Sequence, residues 1–369
     1  MIRWLISSSI LVLMTIVGIL VVYGNDSEID GPQKNIRVAM FLSSVRNDHS
    51  WNESHYDALE KTATHLNLDV AYYENVPMDS TADKVMEIAI SKGAEVIIAT
   101  SIGFEHAVLS TAKKHPNVYF LHATGTKNAP NVSTFFGRIY QMRYLSGIVA
   151  GLKTKTNEIG YVAAFGIPEV NRGINAFALG VQKVNPNAKV FISWSHSWTD
   201  ESMSTEATLN LLKQHDIDVL TVHVDALSPY EIADERGIWI IGYNKDNYLN
   251  YPKHFLTAPV WHWEHFYEMQ IRNILYRNFS SQHLWLGIES GLIDLAPMSV
   301  HVENDIVQRV EREKQHLGKG LCGIFKGPIV DNYGELRVEK GDCMPDEELL
   351  EHFDWYIKGV DDGTKSQKY

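Results

Sequence analysis

A chain of 369 residues with 45% hydrophobic content is long enough to bury two cores of ordinary domain size. Its 33 basic and 45 acidic residues leave a formal net charge of -12, with no long Lys/Arg run. That balance argues against a phosphate backbone, and so against nucleic acid, as a partner.

Residues 1–24 stand apart: Arg3 is followed by an apolar run from Leu5 to Tyr23, broken only by Ser7, Ser8, Ser9, Thr15 and Gly18. Such a segment is either a cleaved signal peptide or a retained N-terminal membrane anchor. Its length is near that of a spanning helix, while Val22-Tyr23-Gly24 offers a cleavage point. No Cys follows the run, which argues against lipid attachment. Residues 25–35 read as a polar linker.

Beyond the linker, near-continuous apolar runs predict strands at 36–42, 95–100, 118–122, 132–136, 159–165, 189–194, 219–224, 238–243, 255–260 and 292–296. Absence of polar alternation is what parallel strands covered on both faces show. Stretches of helical period separate them, at 52–66, 82–91, 104–114, 142–153, 171–184, 203–215, 229–236 and 263–276. Strand–helix alternation of this length predicts an α/β protein of two doubly wound parallel-sheet lobes joined by a hinge. The polar stretch 153–158 marks the division. The first lobe is expected to hold residues 36–156 plus about 257–300, and the second 157–256. Residues 301–369 read as a helix, a hairpin turning at Asn332-Tyr333-Gly334, and a last helix over 346–357.

Several motifs carry less than their letters suggest. Gly318-Lys-Gly320-Leu-Cys-Gly323 matches GxGxxG but follows a helix and precedes a hairpin, the wrong context for a dinucleotide. His262-Trp-Glu264-His265 has neither zinc-protease spacing and is read as the polar start of a helix, so no metal and no cofactor is expected. Gly147 and Gly151 are expected to let their helix pack closely on its own sheet. Cys322 and Cys343, the chain's two cysteines, flank the hairpin; in an oxidising compartment they can form a disulfide, and otherwise they are two buried thiols.

Polar and aromatic side chains gather where a cleft between open α/β sheets takes its lining, at strand C-terminal ends. The first lobe offers Asp48, Trp51 and Asn52 at a helix start, then Ser101 and Phe104. The second offers Glu169, Trp198, Asp225, Asn244 and Asp246. A planar heteroaromatic ligand needs flat faces, available from Trp51 and Trp198, and edge partners, available from Asp48, Asn52, Asp225, Asn244 and Asp246. Each also has a structural reading: Asp48 or Asn52 as helix cap, the tryptophans as core, Asn244 as turn former.

These residues lie in longer segments with a family likeness. Asp48-His-Ser-Trp51-Asn52, Thr100-Ser-Ile-Gly-Phe104, Tyr140-Gln-Met-Arg-Tyr-Leu-Ser-Gly147, the run Ile167 to Phe177 and Ile241-Gly-Tyr-Asn244 resemble the basic membrane protein family. Its members are purine-nucleoside-receptor-like solute-binding components of ABC importers. The resemblance spans about residues 36–297 and implies the type I periplasmic-binding fold, extracytoplasmic location, an ABC permease as partner, and no enzymatic activity. It also implies that aromatics at the positions of Trp51 and Trp198 sandwich the base. Two departures stand out: Asn244 replaces an Asp, and Trp261-His262-Trp263 stands where a sugar-gripping Lys is expected. The resemblance with these departures implies an adenine-like free base rather than a nucleoside, with Trp261 at the site. A membrane-tethered sensor subunit is the alternative, and a periplasmic nucleoside-processing enzyme a more distant one.

Overall fold

The computed structural model describes residues 35–317 and 323–363. The first run of elements is β1 (Arg37–Phe41), α1 (Trp51–Leu66), β2 (Asp69–Tyr73), α2 (Ala82–Ser91), β3 (Val96–Ala99), α3 (Glu105–Lys114), β4 (Tyr119–Ala123) and β5 (Val132–Gly137). Helix α4 (Tyr140–Lys153) carries the chain to β6 (Glu158–Ala163), α5 (Pro168–Val184), β7 (Lys189–Trp194), α6 (Glu201–Gln214), β8 (Val219–His223), α7 (Ser228–Glu235), β9 (Trp239–Ile241) and β10 (Phe255–Thr257). It then returns through β11 (Pro259–Trp261), α8 (Trp263–Leu275), β12 (His283–Leu286) and β13 (Ile293–Leu295). The tail holds α9 (Asn304–Leu317), β14 (Ile329–Val330), β15 (Leu336–Val338) and β16 (Val360–Asp361).

Two six-stranded sheets result, ordered β12-β5-β4-β3-β1-β2 and β10-β9-β8-β6-β7-β16. Every pairing within them is parallel. The physical cause is visible in the central strands, since β3 (Val-Ile-Ile-Ala) and β8 (Val-Leu-Thr-Val-His) are buried along their whole length by helices on both faces. Each sheet is completed by a strand from far along the chain, β12 in the first and β16 in the second.

Helix α4 is buried from Tyr140 to Gly151, and its glycines face a partner other than the one expected. A Cβ on Gly147 would stand 2.0 Å from the Phe177 carbonyl oxygen, and one on Gly180 would stand 2.0 Å from that of Tyr144. The close neighbour is thus the backbone of α5, and both helices need glycine for the approach.

Four further differences from the sequence-based elements have local causes. Residues 255–260 are two strands, because Pro259 has no N–H to continue the ladder; β11 leaves the sheet and pairs antiparallel with β13. Residues 292–296 therefore belong to this ribbon and not to a lobe sheet. Edge strands β2 and β12 are half-buried and carry too short an apolar signal to be read. The last helix shrinks to a single wide turn, Glu348–His352. Beyond it the chain is held extended: the carbonyls of Phe353 and Trp355 accept from Asn171 and Asn175 of α5 at 2.9 and 2.7 Å. The hairpin forms around Asp331, whose carboxylate accepts from the Tyr333 and Glu335 amides and from Arg337. Cys343 is disulfide-bonded, whereas Cys322 lies outside the described residues, as does most of the GxGxxG match. The expected signal or anchor segment also lies outside them; among the described residues no helix is long and apolar enough to cross a membrane.

Candidate functional site

The C-terminal ends of both sheets meet along one seam, and the contacts across it are direct. Asp48 sets the first-lobe side. Its carboxylate accepts from the backbone N–H groups of Ser50, Asn52 and Glu53 and from the Asn52 side chain, at 2.8–3.0 Å. Asp48 and Asn52 are therefore engaged with each other at the start of α1, as a capping carboxylate satisfies free N–H groups and the helix dipole.

That cap aims Ser50 at the second lobe. The Ser50 hydroxyl donates to Asp225 Oδ1 at 2.6 Å and accepts from Asn244 Nδ2 at 3.0 Å. Asn244 Nδ2 also donates to Asp225 Oδ1 at 3.0 Å, and the Asn244 carbonyl accepts from Trp261 Nε1 at 2.8 Å. Burial and then the nearby Asp48 charge push the Asp225 carboxyl up to about 7, against hydrogen bonds from Ser50, Asn244 and the Trp51 backbone. Alongside, Lys245 reaches across to Glu53 at 2.8 Å and to Asp57, and Asn247 donates to the His49 carbonyl at 3.1 Å.

The first-lobe wall is aromatic. Trp51 donates its indole N–H to the Thr100 carbonyl at 2.9 Å, which fixes the ring. Trp261 and Trp263 meet it edge-on at 5.7 and 5.6 Å, and Phe136 lies tilted at 6.3 Å. On the second lobe, Phe165 meets Trp198 edge-to-face at 5.7 Å, and His223 lies 6.2 Å from Trp198.

Behind this pair sits a buried charge cluster. Glu169, in the first turn of α5, lies 3.4 Å from His223 Nε2. Burial pulls the Glu169 carboxyl upward, but His223, Arg172 and Arg143 outweigh it and hold the group at about 2. Burial, with Arg143 beside it, drives His223 down to about 4, so its ring is neutral at pH 7. Arg143 lies 3.8 Å over the Tyr243 ring and donates to the Val222 carbonyl at 2.8 Å. Arg172 donates to the Leu349 carbonyl at 3.1 Å.

Of the residues singled out from sequence, Trp51, Asp225, Asn244 and Trp261 come together in one connected group, with Asp48 and Asn52 behind them. Trp198 and Glu169 form the second-lobe part. Ser101 stands half-buried, its carbonyl bonded to His122 at 2.8 Å. Phe104 is fully buried in a separate first-lobe core with Phe41, Met86 and Val108, so it presents no face to the seam. Asp246 is an exposed turn residue accepting from the Tyr248 amide at 3.0 Å. Sequence reasoning passed over Phe136, Arg143, Arg172 and Lys245. A signal for Arg143 and Arg172 existed, because each lies inside one of the family-like segments, 140–147 and 167–177. The His262–His265 cluster stays peripheral, and among the described residues no three His, Cys, Asp or Glu side chains are grouped to hold a metal. Surface hollows around Glu105–Lys127 and Arg37–Ala94 belong to the first lobe alone.

Two doubly wound sheets that face each other with aromatic and carboxylate side chains define a two-lobed solute-binding protein. The chain belongs to the PnrA-like family of ABC transporter substrate-binding proteins, whose profile matches residues 35–321. A purine-binding protein of Brucella abortus is 31% identical over 332 residues, which cover 89% of this chain and 94% of that protein. A Haloferax volcanii protein named for ABC-transporter glucose binding is 30% identical over 335 residues, covering 90% and 82%. Among solved structures, a transcriptional activator from Bacillus halodurans aligns with TM-score 0.68 at 21% identity, covering 77% of this chain and 98% of that one. An ABC transporter solute-binding protein from Conexibacter woesei gives 0.65, also at 21%, over 77% and 97%. At that identity the two structures speak for the fold alone. Proteins of this family bind small molecules outside the cytoplasm and deliver them to a permease, rather than transform them.

Proposed function

We propose that this substrate-binding protein captures a purine-type base, adenine-like rather than a nucleoside, and hands it to an ABC permease. The observation that carries the reading is the chemistry of the seam. Flat aromatic faces come from both lobes, with Trp51 and Phe136 on one side and Trp198 and Phe165 on the other. Carboxylates at Glu169 and Asp225 lie within the same region to accept from ring and exocyclic N–H groups. Trp261 occupies the place where a sugar-gripping cation would be expected, and its indole N–H is already committed to Asn244. The purine-binding relative supports the same ligand class. Capture then follows hinge closure, and release to the permease follows opening.

Glucose is the second ligand to weigh, because the Haloferax relative bears that name. A thermal-shift panel on residues 35–369, comparing adenine, hypoxanthine, adenosine, inosine and glucose, separates the two. Adenine giving the largest shift is the expected result; a shift with glucose and none with purines would overturn the proposal. Trp198→Ala tests the stacking directly, with adenine affinity expected to fall roughly 10- to 100-fold. A Trp198→Ala protein that binds adenine as tightly as the parent would remove the sandwich from the mechanism. Permease delivery is tested by loss of purine uptake when the chain is deleted from its host.

A further inference from the structure

Asn244 was expected to read the ligand's edge, yet its side chain is committed inside the chain. The amide nitrogen carries two protons and makes two donations, to Ser50 Oγ and Asp225 Oδ1. The amide oxygen accepts from Trp261 Nε1, a group that can only donate, and this fixes which way the amide faces. The residue is 3% exposed, and its backbone is left-handed at φ 65°, a conformation that Asn and Asp tolerate better than other side chains.

The members of this circuit come from different parts of the fold. Ser50 precedes α1 in the first lobe, Asp225 follows β8 and Asn244 follows β9 in the second, and Trp261 ends the returning strand β11. The circuit is flanked by Lys245 bridging to Glu53 and Asp57, and by Asn247 bonded to the His49 carbonyl. The Ser50, Lys245 and Asn247 ties run from lobe to lobe between the chain's own groups, while the Asn244–Asp225 bond lies within the second lobe and holds those two side chains together.

We propose that Asn244 is a positioning residue: it orients Asp225 and Trp261 and ties the lobes together, so that it governs ligand capture through closure and without touching the ligand. The proposal rests on the reading of the seam as the binding site. It separates the residues there into those that meet a ligand face and those that set how firmly the lobes shut.

The deciding comparison is parent against Asn244→Asp, by small-angle X-ray scattering of ligand-free protein followed by adenine calorimetry. Aspartate keeps the shape, suits the left-handed backbone and still accepts from Trp261. It places an acceptor where two N–H groups donated, opposite Asp225 and Ser50. The expected result is a larger radius of gyration for Asn244→Asp, a roughly tenfold loss of closed population and a similar rise in adenine Kd. Identical scattering by the two proteins would overturn the proposal. So would an adenine Kd that rises while the scattering stays unchanged, since that would put Asn244 against the base. Should Asn244→Asp fail to show a cooperative melt, Ser50→Ala replaces it, with a shift in the same direction expected and no shift overturning the idea. Failure of adenine to bind the parent would count against the purine reading only, because the scattering comparison uses no ligand.

Discussion

The two sides of the seam are made of unlike material. The first-lobe wall of Trp51, Phe136, Trp261 and Trp263 is neutral, held by ring contacts and by indole bonds from Trp51 to the Thr100 carbonyl, from Trp261 to Asn244 and from Trp263 to Ser54. The second-lobe floor places a Phe165–Trp198 pair over Glu169, His223 and Arg172, with Arg143 of α4 reaching into the same charge cluster. An aromatic wall contributes area and shape at any pH, whereas a buried charge cluster contributes direction and depends on its protonation state. The contrast teaches that the pH response of the seam is concentrated on its second-lobe side.

The largest expected effect breaks the wall. Trp51→Ala removes a ring packed by four aromatic neighbours and is expected to cost about 3 kcal/mol of stability, with the same loss at pH 5 and pH 8 in denaturant melts. A loss that changed markedly with pH would show that the wall is coupled to the floor. Next, Glu169→Gln keeps the volume but leaves Arg143 and Arg172 without their counter-charge, at an expected cost of about 2 kcal/mol at pH 7. Because the folded value is held near 2, Glu169's contribution is present above the ordinary carboxylate range and lost as pH falls through about 2. A melt unchanged by this substitution would mean that the cluster is not ionic.

Asp225 runs the other way. With a folded value raised to about 7, it binds its proton more tightly in the closed protein than in the unfolded chain. Its stabilising contribution is complete below about pH 4 and is lost as pH rises through about 7. Melts between pH 5 and 8 should show stability falling as pH rises, and Asp225→Asn should flatten that slope; an equally steep slope in the variant would assign it to another group. The smallest effect is expected at Asp246, exposed in its turn, where Asp246→Ala should change stability and adenine affinity by less than about 0.5 kcal/mol.

Most of the architecture was legible because parallel strands write themselves as unbroken apolar runs, as Val-Ile-Ile-Ala in β3 does. Strands β2 and β12 were not, since an edge strand is half wet and its five or four residues do not stand out from a loop. The gathering of Trp51, Asp225, Asn244 and Trp261 followed from their positions at strand ends. What no spacing reveals is whether a side chain has spent its hydrogen bonds. Asp48 is absorbed by three backbone amides and the Asn52 side chain, Asn244 by Ser50, Asp225 and Trp261, and these partners are set by tertiary geometry. Phe104 shows the same limit for packing, because a residue after a strand can turn into a core as easily as toward a cleft.

The strands that complete each sheet bear on how the chain reaches its final form. The first sheet waits for β12 at residues 283–286, and the second for β16 at 360–361, more than a hundred residues after the strands they join. Loop closure over such distances is slow, and a sheet lacking its edge strand exposes unpaired N–H and C=O groups. During synthesis, neither lobe has its full set of strands until most of the polypeptide has emerged. Completion of both sheets therefore depends on the last-made third of the chain, and the disulfide-bonded Cys343 lies in that same stretch.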